Sequence, residues 1–251
     1  MSTKYIFANI VVSCAFVAQL FLFSNYFSVR VPIRHLFSAF FMVYAAYHYL
    51  RNIEDIRINK KFLILIIHFF IALILVFQDM IGYRYITLLV ILGLVFFYQS
   101  LMFSHLVRGN FLLKPIVIAL CWMLLQYFYT LHFSMVFYTQ QFLFIAALTL
   151  PFDISTHLKD RIITLPKKIG VSNSLYVIVC LLIVYIALGY FTNNIFFVSS
   201  ILEATFVIVL LQVKFLLQER YVFVFDAVIV LQTIIYLILS AAFTKLSSFL
   251  I

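Results

Sequence analysis

The 251-residue chain reads as all-α: a polytopic membrane protein of about nine transmembrane helices with its N-terminus in the cytoplasm. Three observations predict this. Hydrophobic residues make up 67% of the chain, mean hydropathy is +1.18, and apolar runs recur near or above the length that spans a bilayer. Only five Gly and four Pro are available for turns, and nothing longer than about twenty residues separates the apolar runs, which leaves no room for a soluble domain or a linker. The basic residues, finally, collect in alternate loops.

The spans fall at about 5 to 28, 32 to 50, 62 to 78, 85 to 103, 113 to 131, 134 to 152, 172 to 190, 195 to 217 and 222 to 244. With the N-terminus inside, the cytoplasmic side carries thirteen basic residues: Lys4, Arg51, Arg57, Lys60, Lys61, Arg108, Lys114, Lys159, Arg161, Lys167, Lys168, Lys214 and Arg220. The other side keeps four, Arg30, Arg34, Arg84 and Lys245. That imbalance orients the chain by the positive-inside rule. The net charge of +9 is then topology plus attraction to anionic lipid or phosphate, with no need to invoke nucleic acid. Residues 1–251 are a single transmembrane domain, with motif loops at 48–61 and 153–171 on the cytoplasmic face.

The first span continues unbroken to Phe23, as a retained helix requires and a short lipoprotein-type signal ending at Cys14 does not. Cys14, Cys121 and Cys180 sit singly in separate spans, without disulfide or metal-thiolate spacing. No nucleophile arrangement suggests hydrolysis.

The densest polar stretch is Pro151 to Gly170, PFDISTHLKDRIITLPKKIG, at the end of the sixth span. Asp153, Thr156 and Asp160 stand at i, i+3 and i+7, one face of a helix. His48, Arg51 and Asp55 repeat that spacing after the second span, 105 residues earlier. Four spans separate the motifs, so both emerge on one side, each after the second helix of a four-helix unit. Two four-helix units plus one helix around a central cavity are the expected architecture. Carboxylates flanked by Lys and Arg at a membrane surface hold a divalent cation and a phosphate together.

Between the motifs, Tyr98 precedes a basic loop with Arg108, and Leu113-Lys114 opens the fifth span as L-K-x-x-x-I-A-x-x-W, ending at Trp122. With the aspartate motif and T-L-P-x-x-x-G at Thr164 to Gly170, this resembles the UbiA superfamily of intramembrane prenyltransferases, and most closely its short, divergent bacterial members. The resemblance covers nearly the whole chain. It implies transfer of a prenyl group from a prenyl diphosphate to a lipid-soluble, aromatic-type acceptor, in a multi-pass protein of the bacterial inner membrane surrounded by membrane lipids. It also implies that Asp153 and Asp160 are catalytic and, with Asp55, hold Mg²⁺, while Arg51, Lys159, Arg161, Arg108, Lys114 and Tyr98 hold the diphosphate. The first aspartate motif departs from the family: Tyr47, His48, Arg51 and Asp55 stand where N-D-x-x-D-x-x-x-D is usual, and Thr156 replaces the middle acid of the second. Three of six carboxylates remain.

Two further classes stay open. One is a catalytically degenerate relative that binds isoprenoid or phospholipid head groups; the other is a small secondary transporter using the intramembrane acids Glu203 and Asp226. Gln140, Gln141 and His68 are expected to be interhelical partners. Aromatic residues, 19% of the chain, suit a cavity for an isoprenoid tail as well as a lipid-facing surface.

Overall fold

The computed structural model describes residues 3–52, 60–80, 82–99, 113–158, 164–213 and 223–249. Among them the secondary structure is helical throughout. The long helices are α1 (Thr3–Tyr26), α2 (Ile33–Asn52), α3 (Lys60–Val76), α4 (Gly82–Gln99), α5 (Leu113–Thr130) and α6 (Met135–Thr156). After a short α7 (Leu165–Ile169) come α8 (Val171–Thr192), α9 (Asn194–Gln212) and α10 (Val224–Phe249). By length and composition α1, α5, α6, α8, α9 and α10 are able to cross a membrane. That is the make-up of a multi-pass membrane protein. The apolar helices Leu63–Asp79 and Gly82–Phe96 are shorter, and α2 is diluted by Arg34, His35, His48 and Arg51.

Helix ends follow local chemistry. After α1 the chain turns through Ser28 at φ 54°, and Pro32 stands just before α2, its carbonyl accepting from His35 N–H at 2.9 Å. α7 opens with Pro166 in its first turn, where the missing N–H costs nothing, and ends at Gly170, whose φ of 86° a side chain would resist. Between α8 and α9 a single residue suffices, because the Asn193 side chain caps α9 by accepting from Phe196 N–H at 2.8 Å.

The packing runs in a circuit: α1 on α2, α2 on α3, α4 on α5, α5 on α6, α6 on α8, α8 on α9, α9 on α10, and α10 back on α1. α3 and α4 are joined by the turn at Phe77–Asp79 but scarcely touch along their lengths. α6 is central, with 61% of its span buried against 22% for α8. Its α8 contact is close at Gly189, where an added Cβ would stand 2.7 Å from Ser200 Oγ, 2.9 Å from Gln140 Nε2 and 3.1 Å from the Phe196 carbonyl. Gly189→Ala should therefore destabilise by about 1–3 kcal/mol, read as a lowered thermal midpoint in detergent. Without this crowding, Ala would add about 1 kcal/mol from helix propensity.

Polar side chains bind the circuit from inside. Trp122 Nε1 on α5 donates to Gln19 Oε1 on α1, and Gln19 Nε2 donates to Gln141 Oε1 on α6 at 3.1 Å. From α10, Gln232 Nε2 donates to the same Gln141 oxygen at 3.0 Å and to the Tyr185 hydroxyl on α8 at 2.9 Å. Tyr185 donates in turn to Glu203 Oε2 on α9. The intramembrane acid and Gln141 are thus interhelical partners, and Gln140 accepts from Thr192 of α8 at 3.1 Å.

The two ends of the bundle differ. At one, Tyr26, Phe137, Phe196 and their neighbours interlock, with Tyr26 and Phe137 stacked at 4.1 Å. Nearby, Asp79 ties the α3–α4 turn to α2: Arg34 reaches it at 2.9 Å and His35 Nε2 at 2.7 Å. The His35 hydrogen bond, followed by the Arg34 charge, holds the Asp79 carboxyl below its ordinary value. A carboxyl so depressed stabilises the fold above its unfolded value and ceases to do so as pH falls through its folded one. The thermal midpoint should accordingly drop on acidification below the ordinary carboxylate range. Asp79→Asn should flatten that part of the profile.

Candidate functional site

The other end is open. A cavity of about 730 Å³ lies between the C-terminal halves of α2, α4 and α6 and the N-terminal halves of α3 and α5, with Phe16 of α1 and Asp226 and Ile229 of α10. Its wall is aliphatic and aromatic, including Tyr47, Tyr49, Phe69, Phe96, Trp122 and Phe152. Along α5 it runs from Lys114 to Leu125. At 1.5 Å per residue that is a depth of about 16 Å, or about half the hydrocarbon thickness of a bilayer.

Among the described residues charge lines the cavity only at its shallow end. Pro115 is tolerated there in the first turn of α5 and leaves Lys114 at the helix start. Pro151 lies inside α6, and lacking an N–H it frees the Ala147 carbonyl one turn before the helix closes at Thr156. The last turn is then held by Ser155 and Thr156, whose hydroxyls donate to the Phe152 carbonyl at 2.7 and 3.0 Å. Asp153 sits on that turn with a side chain 2% exposed, and Lys114 Nζ, itself 23% exposed, donates to its Oδ1. Asp226, in the first turn of α10, is 7% exposed and lines the same cavity.

The start of the fifth span and the described part of the aspartate motif, Asp153 and Thr156, are therefore brought together. Asp153 was expected on a metal and Lys114 on a diphosphate; here they also hold each other. Thr156 lines the cavity with them. His48 of the first motif is buried and stacks on Tyr44, which stacks in turn on His68 of α3 at 4.7 Å, so His48 faces its helix neighbours while Tyr47 and Tyr49 line the cavity. Arg51 and Tyr98 lie on α2 and α4, but their side chains fall outside the described residues, as do Asp55, Arg108, Lys159, Asp160 and Arg161 altogether. Asp226 was legible as an intramembrane acid but not as part of this site. Trp122 was legible only as a motif letter, and Gln19 and Gln232 carried no signal at all.

Among the described residues no three His, Cys, Asp or Glu side chains group as metal ligands would. Of the three carboxylates expected on Mg²⁺, only Asp153 is described, and it accepts from a lysine. By themselves the described residues do not make up a magnesium site. Compared with models of known protein families, with curated proteins and with solved structures, the chain finds no match in any of the three.

Proposed function

We propose that this protein is a nine-span, UbiA-like prenyltransferase of a cell membrane, the bacterial inner membrane, with the cavity mouth on the cytoplasmic side. A prenyl diphosphate would place its tail in the apolar cavity and its head at Lys114. The observation that carries this is one cavity that is apolar for about 16 Å and ends on an ion-paired lysine and two carboxylates. Because α3 and α4 scarcely touch along their lengths, a tail would enter sideways from lipid between them.

In the reaction, the allylic C–O bond breaks and its electron pair leaves with the diphosphate, whose charge Lys114 meets. The acceptor's electron pair forms the new bond to the allylic carbon, and the acceptor's displaced proton passes to a carboxylate at the mouth. Apolar walls keep water from the cation. Asp153, with Asp55 and Asp160, would hold Mg²⁺, which would supply further positive charge to the leaving group. A second reading, head-group binding without chemistry, is favoured by the Lys114–Asp153 pair, since a lysine suffices to hold an anionic head without metal.

The experiment is binding of a non-ionisable prenyl diphosphate analogue to the protein in nanodiscs, with and without Mg²⁺. The expected result is binding that Lys114→Met weakens at least about tenfold, equivalent to about 1.4 kcal/mol. Mg²⁺-dependent binding lost in Asp153→Asn selects the enzyme; metal-independent binding selects the head-group reading. Equal affinity for the analogue and for the same tail bearing an alcohol would overturn both.

A further inference from the structure

The buried chain from Trp122 to Glu203 has a direction. An indole N–H only donates, so Trp122 forces Gln19 to present its oxygen to α5 and its amide nitrogen to Gln141. Gln141 must then present its oxygen, and that oxygen also receives Gln232 Nε2. No amide in the series can be turned over without setting two like groups against each other, so the orientation usually left to choice is settled here by one donor.

Followed to the far end, the same logic leaves one oxygen of Glu203, Oε1, without a close donor. The two Gln232 Nε2 protons go to Gln141 and Tyr185, and the Tyr185 proton goes to Glu203 Oε2. The Ser199 hydroxyl lies within reach of both the carboxyl and the Phe196 carbonyl, the latter at 3.3 Å, and has one proton for the two. Glu203 Oε1 and Gln232 Oε1 are both fully buried with no hydrogen-bond partner. Two acceptors cannot satisfy each other. From the helices packed against α9, the group facing the carboxyl from α8 is Tyr185 and from α10 is Gln232; no Lys, Arg or His among the described residues pairs with it.

We infer that Glu203 is a proton-binding site: its carboxyl is protonated at neutral pH, Oε1–H donating to Gln232 or Ser199, and the proton is coupled through Gln232, Gln141 and Gln19 to Trp122 in the cavity wall. The added proton turns one acceptor into the donor that the chain lacks. By reciprocity, an occupant of the cavity that disturbs the Trp122 bond alters proton affinity at Glu203, and the reverse. This holds whether or not the occupant is a prenyl diphosphate.

Trp122 is the single tryptophan of the chain and so reports on its own end. The experiment uses the full protein in nanodiscs and compares wild type, Glu203→Gln and Gln141→Leu, by infrared spectroscopy at neutral pH and by Trp122 emission titrated to alkaline pH. Expected is the carbonyl band of a protonated carboxyl in wild type that Glu203→Gln removes. Also expected is an alkaline shift of Trp122 emission in wild type that Glu203→Gln, with every tyrosine retained, abolishes. Gln141→Leu, which cuts the series midway, should keep the band and lose the emission shift. A neutral-pH spectrum that Glu203→Gln leaves unchanged in the protonated-carboxyl region overturns the proposal. So does an emission titration that is the same in wild type and either variant.

Discussion

Lys114→Met is expected to lower the stability of the protein in detergent by about 3 kcal/mol, and Lys114→Met/Asp153→Leu to regain most of that loss. The asymmetry comes from desolvation. The Asp153 side chain is only 2% exposed, and removing Lys114 takes away a cation that stands on it. Breaking a buried pair from one side costs far more than replacing both partners by apolar groups of similar volume, because only the first leaves an uncompensated charge. Thermal midpoints of the wild type, the single and the double variant decide it. Equal midpoints for single and double variants would mean that water already reaches Asp153 through the open cavity. Both variants should lose the diphosphate analogue, so stability and binding separate in the double variant, which folds and does not bind.

The helical class was legible because bilayer thickness imposes one length on every span and hydropathy reads that length directly. Lys114 and Asp153 were legible as members of one site because one opens its span and the other closes the next, and the alternation of directions brings those ends together. Their pairing with each other was not, since both were assigned to a ligand and nothing in one sequence ranks a lysine's choice between a neighbour and a guest. α7 was missed for its length, five residues between Thr164 and Gly170 that no periodicity resolves. Gln141 was expected as an interhelical partner, but its two partners Gln19 and Gln232 were missed for a different reason. A lone glutamine in an apolar span looks the same whether it hydrogen-bonds its own turn or another helix, and only the crossing of α1, α6 and α10 turns three such residues into one structure.

Leu125→Trp, at the deep end of the cavity, is expected to reorder affinity by tail length: short prenyl diphosphate analogues bind as to wild type, while long ones lose at least about tenfold. The size of the effect follows from where the tail goes when it is refused. In water each excluded methylene would cost about 0.8 kcal/mol, but in a bilayer the alternative is lipid, as apolar as the cavity wall, and that term largely vanishes. What is lost is close contact with Ile91, Trp122 and Ile145 around the floor, together with the strain of a tail bent back on itself. Short tails leave the floor untouched and feel neither. Binding isotherms for a series of tails with a common head measure it. Uniform weakening across the series would place the tail outside this cavity and leave only the head at Lys114, whereas loss confined to the long members fixes the cavity as the compartment that measures the chain.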